Sequence, residues 1–187
     1  MSPRNEDELA DMMKTALDIA GPSAIRYPRG AVVGVNRKQQ PQSLPIGKAE
    51  ILTDGQDVAI LGLGPMCALA EELGVRLTRD GYSTAVINPR FIKPIDKEML
   101  ASYARRVTAF VTFEDHAKTG GFGTAVIEAL EELGLAVPVV RIGWPDQFIE
   151  HGKVDALRAR YGVSVEEAQR QLLPLLANRR LPALVAS

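Results

Sequence analysis

An α/β fold built on a mostly parallel five-stranded sheet is predicted by three features of this 187-residue chain. From Gly47 onward, short apolar runs alternate with stretches of helical period, the pattern of strands joined by crossover helices. "DVAILGLG" (57–64) is almost continuously apolar and closes on glycines, as a strand buried on both faces does. Helix starts carry capping residues: Asp96, and Ser164 with Glu167 three residues later.

The opening helix has Asn5 and Glu8 in capping-box spacing, and Leu9, Met12, Met13, Ala16 and Leu17 as an apolar stripe. Gly21-Pro22 ends it, and "SAIRYP" (23–28) reads as a short strand closed by Pro28 and Gly30. Residues 31–45 are polar, without a sustained period, and read as a linker. In the second block, "GKAEIL", "DVAILGLG", "STAVIN", "RVTAFVTFED" and "VPVVRIG" are the five strands. Intervening helices bury Met66, Leu69, Ala70, Leu73 and Leu77, then Met99, Leu100 and Tyr103, then Phe122, Val126, Ala129, Leu130 and Leu133. Two closing helices are expected over about Lys153–Tyr161 and Val165–Leu176, with a weakly ordered tail, "ANRRLPALVAS".

The second block is long enough to fold alone, whereas one helix and one strand fall below the roughly 40-residue floor for independent folding. The first block is therefore either an arm docked on the larger domain or the last helix-strand unit of another α/β domain. Its apolar helix and strand favour the second reading, and the chain reads as truncated.

Composition excludes several classes. With 22 Lys+Arg against 23 Asp+Glu, the net charge of −1 gives no general pull toward nucleic acid or an anionic membrane. Cys67 is the single cysteine, so no intrachain disulfide forms, and two histidines leave no ordinary zinc site. The polar, acidic start is unlike a signal peptide, and no apolar run approaches the ~18 residues of a membrane span. A soluble, cytoplasmic protein is expected.

Arg26 and Arg29 in "RYPRG" fall at the predicted strand's carboxyl end, where open α/β sheets bind ligands. The guanidinium fork suits phosphate or carboxylate; the competing reading is a structural salt bridge. "GLGP" (62–65) and "TGGFG" (119–123) precede helices, where phosphate-holding loops sit, but neither fits a dinucleotide or P-loop pattern. Tight turns and close helix-strand packing explain them better. Glu114, Asp115 and His116 stand together at a strand end; capping of the next helix or an interface role is favoured over catalysis. Trp144, Asp146 and Gln147 are expected in a packed turn, and Cys67, inside a helix without a neighbouring histidine, is no nucleophile. The residues alone stop short of a reaction.

"GPSAIRYPRG", "LPIGKAEIL", "FIKPID", "FEDHAKTGGFGTAV" and "GWPDQFIEHG", in this order, resemble the 1-deoxy-D-xylulose-5-phosphate synthase family of transketolase-like thiamine-diphosphate enzymes. The resemblance covers nearly the whole chain. It implies the end of a pyrimidine-binding domain over 1–30, a linker over 31–45, and a three-layer transketolase C-terminal domain over 46–187. The implied reaction condenses pyruvate with glyceraldehyde 3-phosphate, with loss of carbon dioxide, and feeds isoprenoid, thiamine and pyridoxal phosphate synthesis. Arg29 takes the position that grips the acceptor's phosphate; Arg26 keeps its structural reading.

The resemblance further implies thiamine diphosphate and Mg2+ in the complete enzyme. Neither is expected on this chain alone, because Asp54-Gly55 and Asp80-Gly81 do not form the family's Gly-Asp-Gly motif. No catalytic, cofactor-binding or metal residue is expected here, and the chain alone is expected to be inactive. Its implied role lies in homodimer contacts, domain packing and acceptor binding. The alternatives are the C-terminal part of a transketolase or of a pyruvate-dehydrogenase-type β subunit, or a stand-alone oligomerisation module, one chain of a split enzyme.

Overall fold

The computed structural model describes residues 1–180. Five strands, β1 (Glu50–Thr53), β2 (Val58–Gly62), β3 (Thr84–Asn88), β4 (Ala109–Ala117) and β5 (Val139–Trp144), form one sheet in the order β1-β3-β2-β4-β5. Edge strand β1 is antiparallel to β3; the other pairings are parallel. Six helices accompany them: α1 (Glu6–Asp18), α2 (Cys67–Arg79), α3 (Lys97–Ala104), α4 (Phe122–Glu132), α5 (Val154–Tyr161) and α6 (Val165–Arg180). The α/β class and the mostly parallel sheet follow the sequence reading.

The central strands alternate between two cores, as their period of two requires. Val58, Ile60, Val86, Val111 and Phe113 pack under α2 and α6, with Leu73, Leu77, Ala168 and Leu172. Ala59, Leu61, Ala85, Ile87 and Phe110 pack under α3 and α4, with Leu100, Tyr103, Phe122 and Val126. The result is three layers. Asp96 and Ser164 cap as expected, accepting from the amides of Met99 at 3.0 Å and Glu167 at 3.2 Å. The tail reading needs one correction, because α6 runs through Arg180 and takes in its first residues; 181–187 lie outside the described residues. Among the described residues, no helix is long and apolar enough to cross a membrane.

The first 45 residues depart further from expectation. "SAIRYP" is not a strand. It lies beside residues 1–2: the Met1 amine donates to the Ala24 carbonyl at 2.8 Å, and the Arg26 amide donates to that of Met1 at 2.9 Å. Two residues are too short a neighbour to sustain a ladder.

Helix α1 buries a different face from the one its pattern suggests. Glu8, Asp11, Met12 and Thr15 are buried, whereas Met13 and Leu17 are 58% and 84% exposed. Glu8 explains the inversion. Its carboxylate accepts from the Arg4 amide (2.8 Å), the Asn88 carboxamide (2.7 Å) and Arg90 Nε (2.8 Å), and Arg90 also pairs with Glu50 at 3.1 Å. Arg90 occupies the left-handed backbone region (φ 60°) just beyond β3, so α1 docks on the sheet's edge through charge.

Residues 31–45 do not run free either; they lie along α1 as an extended strap. Glu6 accepts from the amides of Gly34 and Val35 at 2.7 and 2.9 Å, and Asp7 from that of Lys38 at 2.7 Å. Asp11 accepts from the Gln42 amide and Thr15 Oγ1 from the Leu44 amide, both at 2.8 Å. Lys38 Nζ bridges Asp7 and Asp11 at 2.9 and 2.5 Å.

Candidate functional site

The Tyr27-Pro28-Arg29-Gly30 stretch borders a groove of about 410 Å³ between the strap and the start of α1. Arg4, Asn5, Glu6, Val32 and Pro65 complete its polar and apolar walls. Arg29 is exposed, and no carboxylate of the described residues pairs with it, so the salt-bridge reading does not hold for this arginine. Arg26 differs: its guanidinium donates to the backbone carbonyl of Asp115 at the end of β4. One arginine anchors the segment to the sheet, and the next presents a free fork over a groove. Glu6, in the same groove, spends its carboxylate on strap amides. Its own backbone N–H, with those of Gly34, Val35 and Val33, holds its carboxyl below the usual range.

At the carboxyl edge of the sheet, the glycine loops meet the chain's own side chains. Glu114, fully buried at the end of β4, accepts from the amides of Phe122 and Gly123 at 2.6 and 2.9 Å, so α4 begins on the chain's own carboxylate. Burial pushes the Glu114 carboxyl up, and the two amides, His116 and Arg141 pull it back. Gly121 is required there, since a Cβ would lie 2.1 Å from Glu114 Oε2. At "GLGP", Gly64 (φ +60°) faces Ser2 Oγ, leaving 2.2 Å for a Cβ. Both glycine loops thus serve close packing, as their sequences indicate. The described residues bring together no group of three or more His, Cys, Asp or Glu that could hold a metal ion.

The Glu114-Asp115-His116 cluster separates into three roles. Glu114 caps α4, Asp115 accepts from Trp144 Nε1 at 2.7 Å, and exposed His116 contacts the Ala117 carbonyl through Nδ1 at 2.9 Å. Trp144 is the last residue of β5 and meets the Tyr161 ring edge-on at 6.1 Å, whereas Asp146, Gln147 and Phe148 are exposed beyond it. Cys67 is buried, and desolvation pushes its thiol far up, away from the thiolate form. The Glu8–Arg90 network was missed in the sequence, being made by residues 82 positions apart.

Residues 47–167 match the family described as "Transketolase, C-terminal domain". The chain belongs to that family. A protein named 1-deoxy-D-xylulose-5-phosphate synthase in Acidobacterium capsulatum is 64% identical over 94% of this chain, and the match covers 28% of that protein. The protein of the same name in Methylacidiphilum infernorum is 54% identical over the same shares of each chain. The chain therefore spans just over a quarter of the length of these curated relatives. Among solved structures, one titled "Split gene transketolase, inactive beta4 tetramer" superposes with a TM-score of 0.83 at 34% identity, over 96% of this chain and 57% of that one. A Campylobacter jejuni transketolase, with a TM-score of 0.64 and 19% identity over 92% of this chain and 25% of that one, shares the fold.

Proposed function

We propose that this chain is the C-terminal part of a 1-deoxy-D-xylulose-5-phosphate synthase. In this reading the complete enzyme condenses pyruvate with glyceraldehyde 3-phosphate, releases carbon dioxide and yields 1-deoxy-D-xylulose 5-phosphate for isoprenoid, thiamine and pyridoxal phosphate synthesis. The observation that carries the proposal is 64% identity to a protein of that name across 94% of the chain. The unpaired Arg29 beside a groove supports a role in holding the acceptor's phosphate. A charge-assisted contact of this kind contributes about 1.5–3 kcal/mol.

Residues 1–30 then belong to a pyrimidine-binding domain, 31–45 connect it, and 46–187 form the C-terminal domain that packs against it and contributes to a cytoplasmic homodimer. The exposed Met13, Leu17, Val32 and Val33 support this division, since they are the surface such a domain would cover. Thiamine diphosphate and Mg2+ are held by other parts of the assembled enzyme.

The test is turnover of pyruvate and glyceraldehyde 3-phosphate by the purified 187-residue chain, with thiamine diphosphate and magnesium added. The expected outcome is no product alone, and product once the cofactor-binding segments are supplied in trans; product from the chain alone contradicts the assignment of roles. The likeness to a split-gene transketolase chain favours a second reading, a separately encoded subunit. Size exclusion with and without those segments distinguishes the two, since a subunit elutes as a stable oligomer by itself.

A further inference from the structure

A second cationic cleft lies at the carboxyl ends of β4 and β5, and it shares no residue with the Arg29 groove. It encloses about 340 Å³ between these strand ends and the α5–α6 junction, and Lys118, Arg141, Gln147, Arg160, Glu167 and Gln171 supply its polar groups. Arg141 is half-buried, and its Nη1 donates to two neutral oxygens, the Lys118 carbonyl at 3.1 Å and Thr124 Oγ1 at 2.9 Å. These bonds fix the guanidinium without neutralising it, and no carboxylate of the described residues lies within 4.0 Å. Lys118 is half-buried as well; its amide donates to the Trp144 carbonyl at 2.9 Å, and its side chain has no hydrogen-bond or ion-pair partner among the described residues.

The nearby carboxylates are already engaged. Glu167 is held by Arg170 at 2.5 Å and by Gln171 at 2.6 Å, Glu150 by Arg160 at 2.8 Å, and Glu114 by the α4 amides. Glu114 and Glu167 act on Arg141 and Lys118 only through space, without closing an ion pair, so the two cations keep donors to offer an anion in the cleft. The fork of an arginine beside a lysine matches the tetrahedral, doubly charged oxygens of a phosphate better than a single carboxylate. The volume is near the lower limit for small-molecule sites and suits a short polyol or sugar rather than a nucleotide.

We propose that this cleft binds a phosphate monoester of a short polyol or sugar, with Arg141 and Lys118 as its anion ligands. This inference does not rest on the synthase reading. The probe is glycerol 3-phosphate, titrated into the isotope-labelled chain at constant ionic strength and followed by amide NMR shifts. Saturable shifts are expected at Lys118, Arg141, Gln147 and Gly162. Lys118→Met and Arg141→Gln should each weaken the binding read at these four amides about tenfold, and Arg29→Ala should leave these four shifts unchanged. Lys118→Met removes no hydrogen bond of the described residues, so it decides the matter even if the Arg141 variant fails to fold. The proposal is overturned if no saturable shift occurs up to about 10 mM, if acetate at matched ionic strength reproduces the shifts, or if Lys118→Met binds as the unaltered chain does.

Discussion

Beneath α2 and α6, Phe113 is fully buried among Ile60, Leu73 and Val111, and the sheet is held by apolar surface withdrawn from water. Along α1 the balance is reversed: Glu8, Asp11 and Thr15 are buried and bonded, and Leu17 is 84% exposed. The same chain therefore uses two kinds of cohesion. The lobe's is chiefly apolar burial shared across the sheet, whereas the arm's rests largely on separate hydrogen bonds that can be lost one group at a time. An arm fastened in this way buries Met12 but leaves Met13 and Leu17 exposed, and it holds Arg29 at the rim of its groove.

A pair of substitutions breaks this contrast most sharply. Phe113→Ala should cost the lobe about 3–5 kcal/mol, measured as a lower urea midpoint for the whole fold. Glu8→Ala should cost about 3 kcal/mol of docking, because it strands Arg90 and Asn88, yet leave the lobe's midpoint nearly unchanged while α1 loses amide protection. If the two variants lower the same single transition, arm and lobe form one unit and the contrast is void.

Acid gives a smaller and more selective effect. Glu6, Asp7 and Asp18 have carboxyls held below their ordinary values of 4.5, 3.8 and 3.8, chiefly by backbone N–H groups for the first two and by Lys14 for Asp18. Lowered values mean that their contribution is complete above those ordinary values and is lost as pH falls through the depressed ones. The strap should loosen below about pH 4, seen as loss of the hydrogen-bonded shifts of Gly34, Val35 and Lys38. Buried Glu114 has the opposite sign. Its raised value makes its contribution greatest below 4.5 and smaller as pH climbs past that point. Strap and lobe loosening together in acid would show that the strap's carboxylates do not govern it.

The lobe was legible because burial on both sheet faces leaves short, mostly apolar runs in the sequence: 58–62, 84–88 and 109–113 are buried throughout. Caps at Asp96 and Ser164 were legible because they act within four residues. The arm was not, since its partners are distant and polar. Asp7, Asp11, Thr15 and Asp18 share one helix face, a signal that points to a polar ligand for that face but does not name the strap. "SAIRYP" misled because strand propensity does not supply a neighbouring strand. Arg29 was legible as a site only through the motif around it; the structure adds that its fork is unpaired.

The most direct test of the arm's function is steady-state kinetics of the complete enzyme carrying Arg29→Ala. The apparent KM for glyceraldehyde 3-phosphate should rise at least tenfold with that for pyruvate nearly unchanged, corresponding to the loss of about 1.5–3 kcal/mol of phosphate binding. Equal changes for both substrates, or none for either, would contradict the claim that this arm presents Arg29 to the acceptor's phosphate.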